Sequence, residues 1–92
     1  MIYRFAGILR QKLKHTLFLI PGYGAQGGKA DGLTVCFDEK GNGGIVNNSR
    51  GILCAYKTEK YKALNYAAAA KAAALDMQAD IYNALHKAGK NL

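Results

Sequence analysis

Ile2, Phe5, Leu9 and Leu13 recur at helical spacing, with Arg4, Arg10, Lys12 and Lys14 falling between them. That repeat predicts an amphipathic helix over residues 2–14, apolar on one side and basic on the other. The pattern then changes. Leu17-Phe18-Leu19-Ile20 is apolar at every position and is stopped by Pro21 and Gly22. It reads as a short strand buried on both faces, as in a parallel sheet. Residues 21–29 form a Gly-rich loop, and 29–38 carry a weaker helical pattern broken by Gly32. Gly41 to Gly44 is a turn. Gly44-Ile45-Val46-Asn47 is a second short strand, leading into the polar corner Asn48-Ser49-Arg50-Gly51 and a helical turn over Ile52 to Tyr56. The clearest element spans 61–88. There Ala70, Ala74, Met77, Ile81 and Leu85 form one stripe, and the alanine run favours a helix that packs closely on a sheet.

Strands alternating with helices imply parallel strands joined by right-handed crossovers. Two such strands leave both sheet edges exposed and do not make a stable sheet alone. At 92 residues the chain holds one small domain. The expected fold is therefore α/β but incomplete: residues 1–92 as the C-terminal third of a (β/α)8 TIM barrel, with the last two βα units and a preceding helix. Self-association, or the rest of the barrel, is expected to cover the edges.

Composition narrows the partners. Thirteen Lys and Arg against six Asp and Glu give a net charge of +7, which suits an anion: nucleic acid, acidic lipid or a phosphorylated small molecule. The basic residues are spread along the chain, however, and a solvated helix surface accounts for most of them. No apolar run approaches the roughly 20 residues of a membrane span. The N-terminal residues lack the order of a signal peptide, so a cytoplasmic protein is expected. Cys36 and Cys54 have no C-x-x-C spacing and are expected to be free thiols. His15 and His86 lack neighbours at ligand spacing, so no metal site is expected.

Two loops carry the chemistry. In Pro21-Gly22-Tyr23-Gly24-Ala25-Gln26-Gly27-Gly28 the glycines literally satisfy G-x-G-x-x-G. A dinucleotide fold would place an acidic residue after the next strand, where this chain has Asn47 and Asn48. A Walker loop fails too, because Lys29 falls one place late and Ala30 replaces the Ser or Thr. What remains is a loop whose backbone N–H groups approach an anion, with the Gln26 amide as a further donor, or else a plain tight turn. In the second loop Arg50 offers a planar fork of donors to phosphate, and Gly51 frees the backbone beside it. The plainer reading is a surface arginine in a turn. Together the loops match the phosphate site that barrels build after their seventh and eighth strands.

At Leu17-Phe18-Leu19-Ile20-Pro21-Gly22-Tyr23-Gly24-Ala25-Gln26-Gly27-Gly28 and Gly44-Ile45-Val46-Asn47-Asn48-Ser49-Arg50-Gly51-Ile52, the chain resembles the longer bacterial subfamily of orotidine 5′-phosphate decarboxylases. The resemblance implies cofactor-free conversion of orotidine 5′-phosphate to UMP in pyrimidine biosynthesis. It further implies that Gln26 and Arg50 grip the substrate phosphate with the Gly51 backbone alongside, and that Pro21 lies near the pyrimidine. One departure matters. The family's Asp-x-Lys-x-x-Asp run is absent; Asp38-Glu39-Lys40 is the nearest approach. No residue here is assigned a catalytic role, and the chain alone is expected to be inactive. Two alternatives stand beside this reading: another phosphate-binding barrel, and a small basic RNA- or DNA-binding module using exposed tyrosines.

Overall fold

A computed structural model of the chain describes residues 5–21, 23 and 30–92. Helix α1 (Ala6–Lys12) leads into strand β1 (Phe18–Ile20). Helix α2 (Ala30–Leu33) tightens into a 3-10 turn at Thr34–Cys36 before strand β2 (Gly44–Val46). Helix α3 (Ser49–Leu53), a second 3-10 turn (Ala55–Lys57) and the long helix α4 (Tyr66–Lys87) complete the order.

The two strands pair in parallel with Phe18 opposite Gly44, Leu19 opposite Ile45 and Ile20 opposite Val46. Ladder bonds continue past both ends, from Phe18 N–H to the Gly43 carbonyl at 2.8 Å and from Asn47 N–H to the Ile20 carbonyl at 3.0 Å. Gly44 is needed at this register, because a Cβ there would meet both Ile20 and Phe37 at 2.8 Å. One face of the sheet packs into a core of Ile20, Leu33, Cys36, Phe37 and Leu85, with Phe18, Val46 and Ile81 against it. A second cluster of Ala55, Ala69 and Ala73 seats the start of α4 on the 3-10 turn, with Tyr61 beside it. Small alanines allow that close approach, but the partner is this 3-10 turn and not the sheet expected from the alanine run.

The opposite face of the sheet is open. The directly paired Leu19 and Ile45 are 71% and 52% exposed. The sequence predicts a strand buried on both faces, but among the described residues only one face is covered. Helix α1 also departs from expectation. Phe5, Leu9 and Leu13, its apolar stripe, are exposed, while Arg10 from the basic side is only 6% exposed. The reason is steric and polar. Gly7 brings α1 close to Val35, where a Cβ would lie 3.4 Å from the valine Cβ. Arg10 then reaches inward. Its Nε donates to the Cys36 carbonyl at 2.7 Å, Nη2 to the Gly43 carbonyl at 2.8 Å and Nη1 to the Leu13 carbonyl at 2.9 Å. The guanidinium carbon stands 4.0 Å from the centre of the Phe18 ring.

Other boundaries follow local chemistry. The long helix begins at Tyr66, not 61, because Asn65 caps it by accepting from Ala68 N–H at 2.8 Å. It ends where Gly89 takes φ +84°, and Lys90 N–H closes back on the Leu85 carbonyl at 3.1 Å. The buried positions of α4 are Ala69, Ala73, Ala84 and Leu85, so the stripe read from the sequence is one edge of the packed face. Gly32 does not break the second helix, which runs through it. Helix α3 starts at Ser49, three residues earlier than Ile52, because Ile52 N–H bonds the Asn48 carbonyl at 3.1 Å.

Two outcomes test this packing. Arg10→Met should lower the free energy of unfolding by roughly 3 kcal/mol or unfold the chain, since it orphans buried carbonyls at about 1–3 kcal/mol each. Urea denaturation followed by circular dichroism measures it. The chain should also elute as more than a 9.9 kDa monomer by light scattering. Replacing Leu19 and Ile45 together by glutamate, on the open face, should shift it toward monomer.

Candidate functional site above the parallel strands

Chemistry-bearing side chains gather where both strands end. Tyr23 follows the carboxyl end of β1, Asn48 follows that of β2, and both face α4. Between them lies a cavity of about 480 Å³, lined also by Gly51, Lys60, Tyr61, Asp76, Met77, Asp80 and Asn83.

Each contact across this cavity ends on α4. Tyr23 Oη donates to Asp80 Oδ2 at 2.5 Å. Asn48 Nδ2 approaches Met77 Sδ at 3.6 Å. Tyr61 Oη donates to Asp76 Oδ2, and Lys60 Nζ lies 3.1 Å from that same oxygen. Asp76 and Asp80 are one turn apart, where like charges repel by a few tenths of a kcal/mol in an isolated helix. Phenol and ammonium donors offset that repulsion here.

The titration behaviour follows. Burial first, then the bond to Asp80, pushes the Tyr23 phenol strongly up from its ordinary value of 10.0. The bond to Asp76 raises the Tyr61 phenol, with burial adding to it. Asp76 is lowered by the Tyr61 bond and then by Lys60. Lys60 is raised by Asp76 in turn.

The residues singled out from the sequence fall unevenly. Arg50 is exposed in the first turn of α3, and Gly51 is in that same turn, not in a loop. Gly51 has ordinary helical backbone. A Cβ there would lie 2.3 Å from the Asn48 amide nitrogen, so the missing side chain makes room for Asn48. Pro21 is exposed at the end of β1. Gln26 lies outside the described residues. Among the described residues, no three His, Cys, Asp or Glu side chains come together to hold a metal. Cys36 is buried, Cys54 is exposed and both are free. No described helix is long and apolar enough to cross a membrane.

Curated proteins match this chain over most of its length. A protein of Clostridium botulinum strain Langeland is 51% identical over 70 residues, which is 76% of this chain and 24% of that protein. One from Clostridium kluyveri is 49% identical over 73 residues, 79% of this chain and 25% of that protein. Its relatives are orotidine 5′-phosphate decarboxylases. The resemblance carried by the two loops thus extends over three quarters of the chain. The chain spans about a quarter of the length of these decarboxylases. They do not favour a nucleic-acid module. No family model and no solved structure matches the chain.

Sequence reasoning missed Tyr61, Asp76 and Asp80 and gave Tyr23 no role. A signal was present: Asp76 and Asp80 are four apart on a helix otherwise coated in alanine, flanking Met77. Their partners are 15 and 57 residues away, and no local pattern connects them.

The phenols give a measurable consequence. In ultraviolet difference titrations against Tyr23→Phe and Tyr61→Phe, each phenol should ionise above pH 10, and Asp80→Asn or Asp76→Asn should bring its partner back down. Raised phenol values stabilise the fold below pH 10, and that contribution is lost as pH rises through the folded value. Lowered Asp76 stabilises above its ordinary 3.8 and is lost as pH falls through its folded value.

Proposed function

We propose that the chain supplies the phosphate-binding end of an orotidine 5′-phosphate decarboxylase, as the C-terminal third of a (β/α)8 barrel. Residues 1–92 are then one incomplete domain, working in the cytoplasm. The observation that carries this reading is the parallel register of β1 and β2. It brings Pro21 and Tyr23 of one motif to the same sheet end as Arg50 and Gly51 of the other. Barrel enzymes build their sites at that carboxyl end, with phosphate held after the last two strands beside a short extra helix. Helix α3, five residues long and following β2, supports that reading.

In this role Gln26 and Arg50 grip the phosphate of orotidine 5′-phosphate with the Gly51 backbone alongside, and Pro21 stands near the pyrimidine. The phosphate is remote from the carbon that loses carbon dioxide. Binding energy gained there holds the reacting group in place and so raises the rate as well as the affinity. The general acid comes from another part of the barrel, because the chain has no Asp-x-Lys-x-x-Asp run. The remaining strands pair along the outer edges of β1 and β2, and the completed barrel covers the exposed Leu19 and Ile45.

Fusing the chain behind the preceding three quarters of a clostridial relative should yield an active decarboxylase, while the chain alone should show no turnover. Arg50→Ala in the fusion should lower kcat/KM for orotidine 5′-phosphate by at least about tenfold, from the 1.5–3 kcal/mol of a charge-assisted bond. The loss should shrink sharply on phosphate-free orotidine. An equal loss on both substrates removes Arg50 from the phosphate site.

A further inference from the structure

Three contacts on one stripe of α4 are not explained by substrate binding. Tyr23 reaches Asp80, Asn48 rests on Met77, and Tyr61 with Lys60 meets Asp76. Their partners come from the three segments that surround the strand ends: the chain leaving β1, the chain leaving β2, and the chain between α3 and α4. The sheet itself fixes only a short stretch of each strand, Phe18–Ile20 and Gly44–Val46. Beyond that stretch one residue from each segment contacts α4, Tyr23 at Asp80 and Asn48 at Met77.

We propose that Asp76 and Asp80 are positioning residues, holding through Tyr61 and Tyr23 the segments beyond β1 and α3 and so setting where Arg50 stands relative to the end of β1. This rests on the proposed function and deepens it. Asn48 is the link to Arg50. Its side chain fills the space that Gly51 leaves and touches Met77, so α3 is braced on α4 between the two carboxylates. A phenol suits each latch, because it reaches a helix from a neighbouring segment while its ring packs in the core. Tyr23 lies against the main cluster and Tyr61 against the alanine cluster. Neither carboxylate is assigned to the phosphate itself, whose charge would repel them.

The experiment uses the barrel completed by the relative's preceding strands and compares orotidine 5′-phosphate with orotidine. Tyr23→Phe and Asp80→Ala should each lower kcat/KM on the phosphorylated substrate about fivefold more than on orotidine, the worth of one positioned hydrogen bond. The double variant should lose no more than either single one, because both remove the same contact. Asp80→Asn keeps an acceptor for the phenol and should recover most of the loss. Thermal midpoints of all variants separate positioning from unfolding, and Tyr23→Phe is the mildest of them. Additive losses, equal losses on both substrates, or no recovery with asparagine would overturn the assignment. Arg50→Ala run in parallel tells the two failures apart. If its loss is confined to the phosphorylated substrate and that of Tyr23→Phe is not, the latch fails alone. If the Arg50 loss is equal on both, the phosphate site fails and takes the latch with it.

Discussion

The structure turns on the buried guanidinium of Arg10. Among the described residues it forms no ion pair; backbone carbonyls at Cys36, Gly43 and Leu13 take its protons instead. Burying a cation is unfavourable unless its donors are satisfied, and a planar fork meets that need where a lysine ammonium does not. The Gly43 carbonyl accepts from both Arg10 and Phe18 N–H, and so ties α1 to the first bond of the β1–β2 ladder. With Phe18 stacked beneath the guanidinium, one side chain joins the end of α1, the turn after α2 and the entry to β2. Gly43 has φ +89° and faces the same guanidinium, so the turn into β2 is shaped around that contact.

Once the strand register is set, the faces of the sheet divide. Ile20 and Val46 go to the core under α4, and Leu19 and Ile45 are left outward. A shift by one residue would exchange these sets, so the Arg10 contact also decides which apolar side chains face the missing cover. The C-terminal end of α4 is held by the same region. Asn91 N–H bonds the Glu39 carbonyl at 2.6 Å, and Lys90 Nζ reaches the Phe37 carbonyl at 3.4 Å. Asp38, lowered chiefly by the Asn42 backbone N–H, shapes that turn. The long helix is thereby anchored at its far end, while its middle is free to present Asp76, Met77 and Asp80 beside the strand ends.

The sequence by itself determined the element order, the parallel pairing and the family its loops resemble, because apolar periodicity and contiguous motifs are local properties. Alanine spacing announced α4, and the Pro-Gly and Asn-Asn-Ser-Arg-Gly runs announced the strand ends. It misjudged α1, since periodicity reports which side is apolar and not which side meets a neighbour. Gly7 and a set of waiting carbonyls drew Arg10 inward against that pattern. It placed Gly51 in a polar corner, where the structure has the first turn of α3 and Asn48 fills the space a side chain would take. The Tyr23–Asp80 and Tyr61–Asp76 pairs were decided only by tertiary structure. Their members come close because a sheet and a helix fix three distant segments around one space, and distance through space is not written in local spacing.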